Sequence, residues 1–378
     1  MKNPFEYGGV VAGESFCNRR KELADLGRAI ENSEKLFVFS ERRMGKTSLV
    51  LRTMKNLPQD IICAYVDLWP TDGDASFAVA MARALTLALA STPQKLLEAA
   101  KIFFSRFSPS IIVDENGRPI VSFEISRRQP SPPDLDEVLS APARIANARK
   151  KRVAVVLDEF QQILEYESDL VEKSLRSNIQ QQKDSAYIFL GSRKHIIKKM
   201  VLDSSRPLYR AGGHYPLGPI GGKDWTTFIR DKFEAAGKQI DDSTIEAVCK
   251  LTEGHPFYTQ HLCHVLWELC EPRLKVSQSM IEEAISILLR RESYAFTSMW
   301  DPFSKNAKRV LAGLAAEAPG IKPFSREFLQ RYGLGSASNA QRAIDSLLTR
   351  DVIDQDDGSY VIVDRFFKIW INRLHYGG

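Results

Sequence analysis

No stretch of this 378-residue sequence offers the uninterrupted apolar run of ~20 residues that a membrane span requires. The longest candidate, FAVAMARALTLALA, is broken by Arg83. Cysteine is scarce, with five residues at scattered positions (Cys17, Cys63, Cys249, Cys263, Cys270), an odd number that argues against a disulfide framework and for reduced thiols. HLCHVLWELC gathers His261, Cys263, His264 and Cys270, but its spacing fits no zinc template and reads as helical packing. The N-terminal MKNPFEYGGVVAG has no apolar signal core after its basic start. Internal repeats and long low-complexity tracts are missing as well. A soluble, cytoplasmic protein with no membrane association is the expectation.

Charge of one sign is also lacking. Lys and Arg number 52 against 47 Asp and Glu, a net charge of +5 that is compatible with nucleic acid without pointing to it.

What is present is alternation. Short β-rich runs (KLFVFS, IICAYVDL, RVAVVLDEF, AYIFLGS, HYPLGPI) are separated by helical patterns over the first 220 residues, the signature of a parallel sheet covered by helices. Three of the runs are continuously apolar, as strands buried on both faces should be. An insertion near 110–126 carries Asn116-Gly117 between alternating runs and predicts a β-hairpin. DLDEVLSAPARIANARKKR then predicts a helix leading to the third strand. From 221 to 292 the pattern is helical, with Asp and Ser at the helix starts. Residues 293–378 predict three helices (FSKNAKRVLAGLAAE, FSREFLQRYG, SASNAQRAIDSLLTR) and a two-stranded wing about Asp357-Gly358, hence a winged helix. The expected organisation is a nucleotide-binding domain over 1–220, a helical lid over 221–292 and a winged-helix domain over 293–378.

The chemistry is concentrated in SERRMGKTSL. It matches the phosphate-binding loop G-x-x-x-x-G-K-[ST] except that Ser40 replaces the first glycine. In such a loop, backbone N–H groups and the helix N-terminus close on phosphate oxygens. Arg43, Met44, Gly45 and Ser48 would line the phosphates, Lys46 would reach the β- and γ-phosphates, and the Thr47 hydroxyl would ligate Mg²⁺. About 110 residues downstream, RVAVVLDEF ends an apolar strand in Asp158-Glu159. Asp158 would hold Mg²⁺ through water and Glu159 would polarise the attacking water. The pair of motifs predicts an ATPase with ATP/ADP and Mg²⁺ as its ligands. A third strand, AYIFLGS, ends in Ser192, which in such a sheet lies beside the loop and could contact the γ-phosphate or the water.

The ordered set FCNRRKEL, SERRMGKTSL, LDEFQ, GSRKHIIKKM, RPLYRAG and GHPFYTQ resembles the archaeal-type ATPase family, in the STAND branch of the AAA+-related P-loop NTPases. The resemblance covers nearly the whole chain. It implies an AAA+-like α/β fold with helical lid and C-terminal winged helix, and ATP bound between the α/β domain and the lid. It implies base contacts from Phe16 and Arg19, a lid motif centred on Pro256, and an arginine finger or γ-phosphate sensor at Arg206 or Arg210. Two positions depart from the pattern: Ser40 stands for glycine, and GHPF carries no arginine, which leaves no ordinary lid-borne sensor.

The helix SASNAQRAIDSLLTR could present Asn339, Gln341, Arg342 and Arg350 to a DNA major groove. The acidic wing, with Asp351, Asp354, Asp356, Asp357 and Asp364, would repel a phosphate backbone. A switch in which the winged helix senses nucleotide state therefore outweighs a DNA-binding regulator of replication or transposition type. An interaction module that holds ADP with little turnover is the third reading. A separate protein partner is expected, and an ATP-dependent homo-oligomer if Arg206 or Arg210 acts in trans.

Overall fold

The computed structural model describes residues 2–113, 119–124, 132–192, 194–317, 320, 322–356 and 358–376. The expected turn residues Asn116, Gly117 and Asp357 lie outside these, as does Arg193 of the GSRKHIIKKM segment.

The chain forms two compact units. One comprises residues 19–40 and 46–217. Its elements are α1 (Arg20–Glu31), β1 (Lys35–Phe39), α2 (Lys46–Lys55), β2 (Ile61–Asp67), α3 (Asp74–Leu89), α4 (Pro93–Phe103), β3 (Ser108–Val113), β4 (Pro119–Glu124), α5 (Pro132–Arg149), β5 (Arg152–Asp158), α6 (Leu170–Gln181), β6 (Ser185–Gly191), α7 (Lys194–Leu202) and β7 (Gly213–Pro216). Five strands pair in the order β2-β5-β6-β1-β7, all parallel. β5, β6 and β1 are the inner strands, and every residue of β6 is buried. A layer of aromatic side chains fills the sheet face. Phe37 stacks on Phe189 at 4.4 Å between ring centroids, and Phe160 closes on Phe189 at 4.6 Å. Each such ring, fully removed from water, contributes about 1.5–3 kcal/mol. The inserted hairpin β3-β4 stands apart as its own antiparallel pair.

The second unit comprises residues 1–18, 41–45 and 218–378. It contains α8 (Gly222–Glu234), α9 (Asp242–Thr252), α10 (Pro256–Leu269), α11 (Gln278–Trp300), α12 (Lys305–Ala316), α13 (Arg326–Arg331), α14 (Ala337–Thr349), the wing strands β8 (Ile353–Asp356) and β9 (Ser359–Ile362), and α15 (Arg365–Tyr376). The helix starts follow capping chemistry: the side chains of Asp241, Ser277, Ser304, Ser325 and Ser336 each accept from a backbone N–H in the first turn. One continuous apolar core runs from Phe5 and Trp225 through Leu262 and Leu288 to Ile344 and Phe367. Helix α11 continues unbroken past residue 292 to Trp300, so the segments on either side of that position share both a helix and a core.

Candidate nucleotide site

The carboxyl ends of parallel strands gather loops on one edge of a sheet. Here β1, β5 and β6 deliver Ser40, Asp158 and Ser192. The sheet is stitched at that edge by Ser40 N–H, which donates to the Gly191 carbonyl at 3.2 Å. Gly191 must be glycine, because a Cβ there would stand 2.3 Å from Ile197 Cγ1.

Ser40 is completely buried, and its hydroxyl accepts from Lys46 Nζ at 2.9 Å. The replacement of glycine thus supplies the lysine with an acceptor. Gly45, at φ +85°, takes the left-handed conformation that lets the loop turn into α2. Met44 and Ser48 are buried, and Arg43 also has positive φ, 59°.

Thr47 Oγ1 donates to Asp158 Oδ2 at 2.6 Å. Tyr65 donates to the same oxygen, also at 2.6 Å. Burial, and then the Asp158 charge, push the Tyr65 phenol well above its usual range, so it is a fixed donor. A threonine hydroxyl beside a buried carboxylate is a set of hard oxygen donors, which fits Mg²⁺.

Glu159 sits at φ 52°, directly after β5. Its Oε2 accepts from Ser192 Oγ at 2.7 Å and from the Gln161 amide. Gln161 Nε2 also donates to Ser192 Oγ at 3.2 Å, and Gln161 Oε1 accepts from Ser192 N–H at 3.2 Å. Glu159 and Ser192, some 30 residues apart, are therefore brought together through Gln161.

The two candidate arginines are engaged differently. Arg206 is ion-paired with Glu172, whose carboxylate is buried and pushed up by desolvation against the pull of that arginine. Arg210 lies exposed with its guanidinium 5.2 Å from the Tyr209 ring. Arg19 is buried and donates to Glu22 at 3.0 Å.

Phe16 and Pro256 belong to the other compact unit, together with Arg43, Met44 and Gly45. There Phe16 is half-buried and Pro256 opens α10. The loop arm Glu41–Gly45 is held on four sides. Glu41 Oε2 pairs with Arg365 Nη1 at 2.5 Å, and Arg42 Nη2 pairs with Asp351 Oδ2 at 2.9 Å. The Arg42 carbonyl meets His255 Nε2 at 3.0 Å, and Arg43 lies 4.3 Å over the Phe257 ring. Arg365 also reaches Glu253 at 3.0 Å, which Lys368 joins at 2.8 Å. Burial raises the Glu253 carboxyl, but the two cations outweigh it and hold it below the usual range.

A family model described as an ATPase domain predominantly from Archaea matches residues 16–262. The chain belongs to this archaeal ATPase family. Its second half adds a winged helix domain, matched over residues 294–373. This archaeal ATPase is thus a P-loop protein that binds and hydrolyses ATP. Among solved structures it is similar to a Walker-type ATPase of Pyrococcus abyssi, with 16% identity and a TM-score of 0.65 over 98% of this chain and 99% of that one. It is also similar to the ORC2 protein of Aeropyrum pernix in its ADPNP-ADP complexes, with 13% identity and a TM-score of 0.55 over 100% and 99% of the two chains. At these identities the likeness speaks to fold: an AAA+-like α/β core followed by a winged helix. No curated protein sequence matches the chain. Among the described residues, no helix is long and apolar enough to cross a membrane.

Sequence reasoning missed Tyr65, Gln161, Glu41 and Arg365. Tyr65 could have been found: it lies two residues before Asp67, on the same face of a strand, and Asp67 pairs in register with Asp158. Gln161 follows the Asp-Glu pair by two positions but carries no charge to mark it. Arg365 opens a helix, α15, whose signal was Asp364 before an apolar-periodic run; Asp364 accepts from the N–H groups of Phe366 and Phe367 at 2.9 and 3.0 Å.

Proposed function

We propose that this ATPase is a slow, nucleotide-operated switch of the STAND branch, acting in the cytoplasm, whose phosphate loop reports its state to the winged helix. One observation carries the reading: the loop arm Glu41–Arg42 is ion-paired with Arg365 and Asp351, both of the winged-helix region. The two pairs are unequal. Arg42–Asp351 is partly exposed, with side-chain exposures of 40% and 17%, and pairs of that kind contribute up to about 1 kcal/mol. Glu41–Arg365 is buried, at 10% and 6%, and removal of one partner of a buried pair costs about 3–5 kcal/mol. The Arg365 contact therefore dominates the coupling.

In this reading the three functional regions are 1–220, 221–292 and 293–378. ATP phosphates draw Lys46 from Ser40, and Gly45, Met44, Arg43 and Ser48 wrap them. Thr47 and Asp158 would hold Mg²⁺, which supplies charge neutralisation to the β- and γ-phosphates. Glu159 polarises the attacking water, and Ser192, released from Glu159, takes the γ-phosphate. Phe16, Arg19 and Pro256 serve the base. Arg210, whose guanidinium is exposed, suits a finger better than the paired Arg206, and in trans it would require an ATP-dependent homo-oligomer. Loss of the γ-phosphate changes the loop arm, and through Arg365 biases the winged helix toward or away from a protein partner.

Small-angle scattering tests this. Glu159→Gln saturated with ATP and the wild type saturated with ADP should give different profiles. Identical profiles would end the switch reading.

A further inference from the structure

The winged-helix region contains an open groove of about 720 Å³ that no part of the nucleotide chemistry uses. Its walls come from the end of α11, from α12 and α13, and from the end of α15. Four cationic side chains, Lys305, Lys308, Arg309 and Arg331, line it, and no carboxylate does so among the described residues.

Three of these cations are oriented by internal contacts. Arg309 donates to the Gly333 carbonyl, and Arg331 pairs with Glu317, which also accepts from Tyr332. Lys308 Nζ lies 5.5 Å over the Trp300 ring and 3.3 Å from the Asp301 carbonyl. A guanidinium has five N–H donors in a rigid fork, so Arg309 and Arg331 keep donors to offer a ligand after making these bonds. Beside the groove, Arg350 lies 5.6 Å over the Phe303 ring.

We propose that this groove binds the phosphate backbone of a nucleic-acid strand without reading its sequence. Lys305, Lys308 and Arg309 share about one turn of α12 and Arg331 comes from α13, and cations drawn from two helices around an open, carboxylate-free groove suit a polyanion that passes through it. The strength of such a contact comes from counterion release along the backbone, so it carries no sequence information. The aromatic rings that could have stacked on bases, Trp300 and Phe303, are only 8% and 6% exposed, so bases gain little there. The contact is distinct from the expected recognition surface, because Asn339, Gln341 and Arg342 of α14 take no part in the groove. Those residues are turned to local bonds: Arg342 donates to Asn339 at 2.8 Å and Gln341 to Asp345 at 2.8 Å. The acidic wing is less of a barrier than its composition suggests. Asp351 is paired with Arg42, Asp354 is buried, and Asp364 caps α15.

The test is fluorescence anisotropy of the full chain with a labelled oligonucleotide, as a single strand and as a duplex, across a salt series. Lys305→Glu/Lys308→Glu should weaken binding at least tenfold and lower the salt slope by about two, with ATP turnover unchanged. Lys305→Gln/Lys308→Gln should weaken it less, and Arg342→Ala not at all. Absence of binding to either form at low salt would overturn the proposal. So would binding indifferent to the lysine changes, loss confined to Arg342→Ala, or competition by polyglutamate as effective as by unlabelled oligonucleotide.

Discussion

Tyr65 donates to Asp158 on the very carboxylate oxygen that Thr47 occupies, at 2.6 Å in each case. Two hydroxyl donors on one oxygen fix the carboxylate rotamer, leaving Oδ1 to the Glu159 N–H at 2.8 Å. Tyr65→Phe removes one of these bonds, worth about 1.5–3 kcal/mol when the acceptor is charged. Steady-state assays should show turnover down about tenfold, with ATP affinity, measured separately by equilibrium binding, changed by less than threefold. An unaffected kcat would mean that Thr47 alone positions Asp158.

Glu159 is the residue assigned to the water. Glu159→Gln keeps its shape, and its hydrogen bond from Ser192 can persist, so binding of ATP should survive. Hydrolysis should fall by about 10²-fold or more, the usual contribution of a positioned general base. Gln161→Ala should produce a smaller loss, because it positions Glu159 without touching substrate, and methylamine-sized rescue agents should not restore it. Turnover that survives Glu159→Gln would move the base elsewhere.

Ser40 gives Lys46 a resting acceptor at 2.9 Å, a bond that phosphate binding must replace. Ser40→Gly removes that competitor, which is worth about 1.5–3 kcal/mol because the donor is charged. Isothermal titration should show ATP binding about tenfold tighter or more. Weaker binding would show that the hydroxyl itself serves the nucleotide.

His261 stacks on Tyr7 at 3.8 Å between ring centroids. Burial, and then His264, Arg291 and Arg43, push its pKa down to about 4. The folded state therefore holds His261 neutral at a pH where the unfolded chain, with a histidine pKa near about 6.5, already binds a proton. Stability from this group is complete above about 6.5 and declines as pH falls toward about 4. Thermal melts should show this loss in the wild type and a flatter profile in His261→Phe, provided both melt in one transition. Equal slopes would assign the acid sensitivity to carboxylates.

Much of the fold could be read because its signals are local. The apolar runs at Lys35, Ile61, Arg152 and Ser185 became β1, β2, β5 and β6; β1, β5 and β6 are buried along almost their whole length, as their continuous apolar composition requires, and β2 is the half-buried edge strand. The capping serines placed α11 to α14 for the same reason. Within the site, Lys46, Thr47, Asp158, Glu159 and Ser192 stand out by type and spacing, and the structure pairs Thr47 with Asp158, Glu159 with Ser192, and Lys46 with Ser40. Tyr65, Gln161 and Arg365 are different. Tyr65 shows only through its place two residues before Asp67, Gln161 carries no charge to mark it beside Glu159, and Arg365 finds Glu41 324 positions away with no periodicity in either segment to announce the pairing. The engagement of the wing acids was hidden for the same reason.

The coupling of phosphate loop to winged helix is tested most directly by the rate of ADP release, followed by stopped-flow displacement of a fluorescent ADP. Arg365→Ala and, independently, Glu41→Gln should release ADP at least tenfold faster than the wild type, while Arg342→Ala should release it at the wild-type rate. Unchanged release in both folded variants would contradict the account, and would make the Glu41–Arg365 pair a structural contact with no part in the nucleotide cycle.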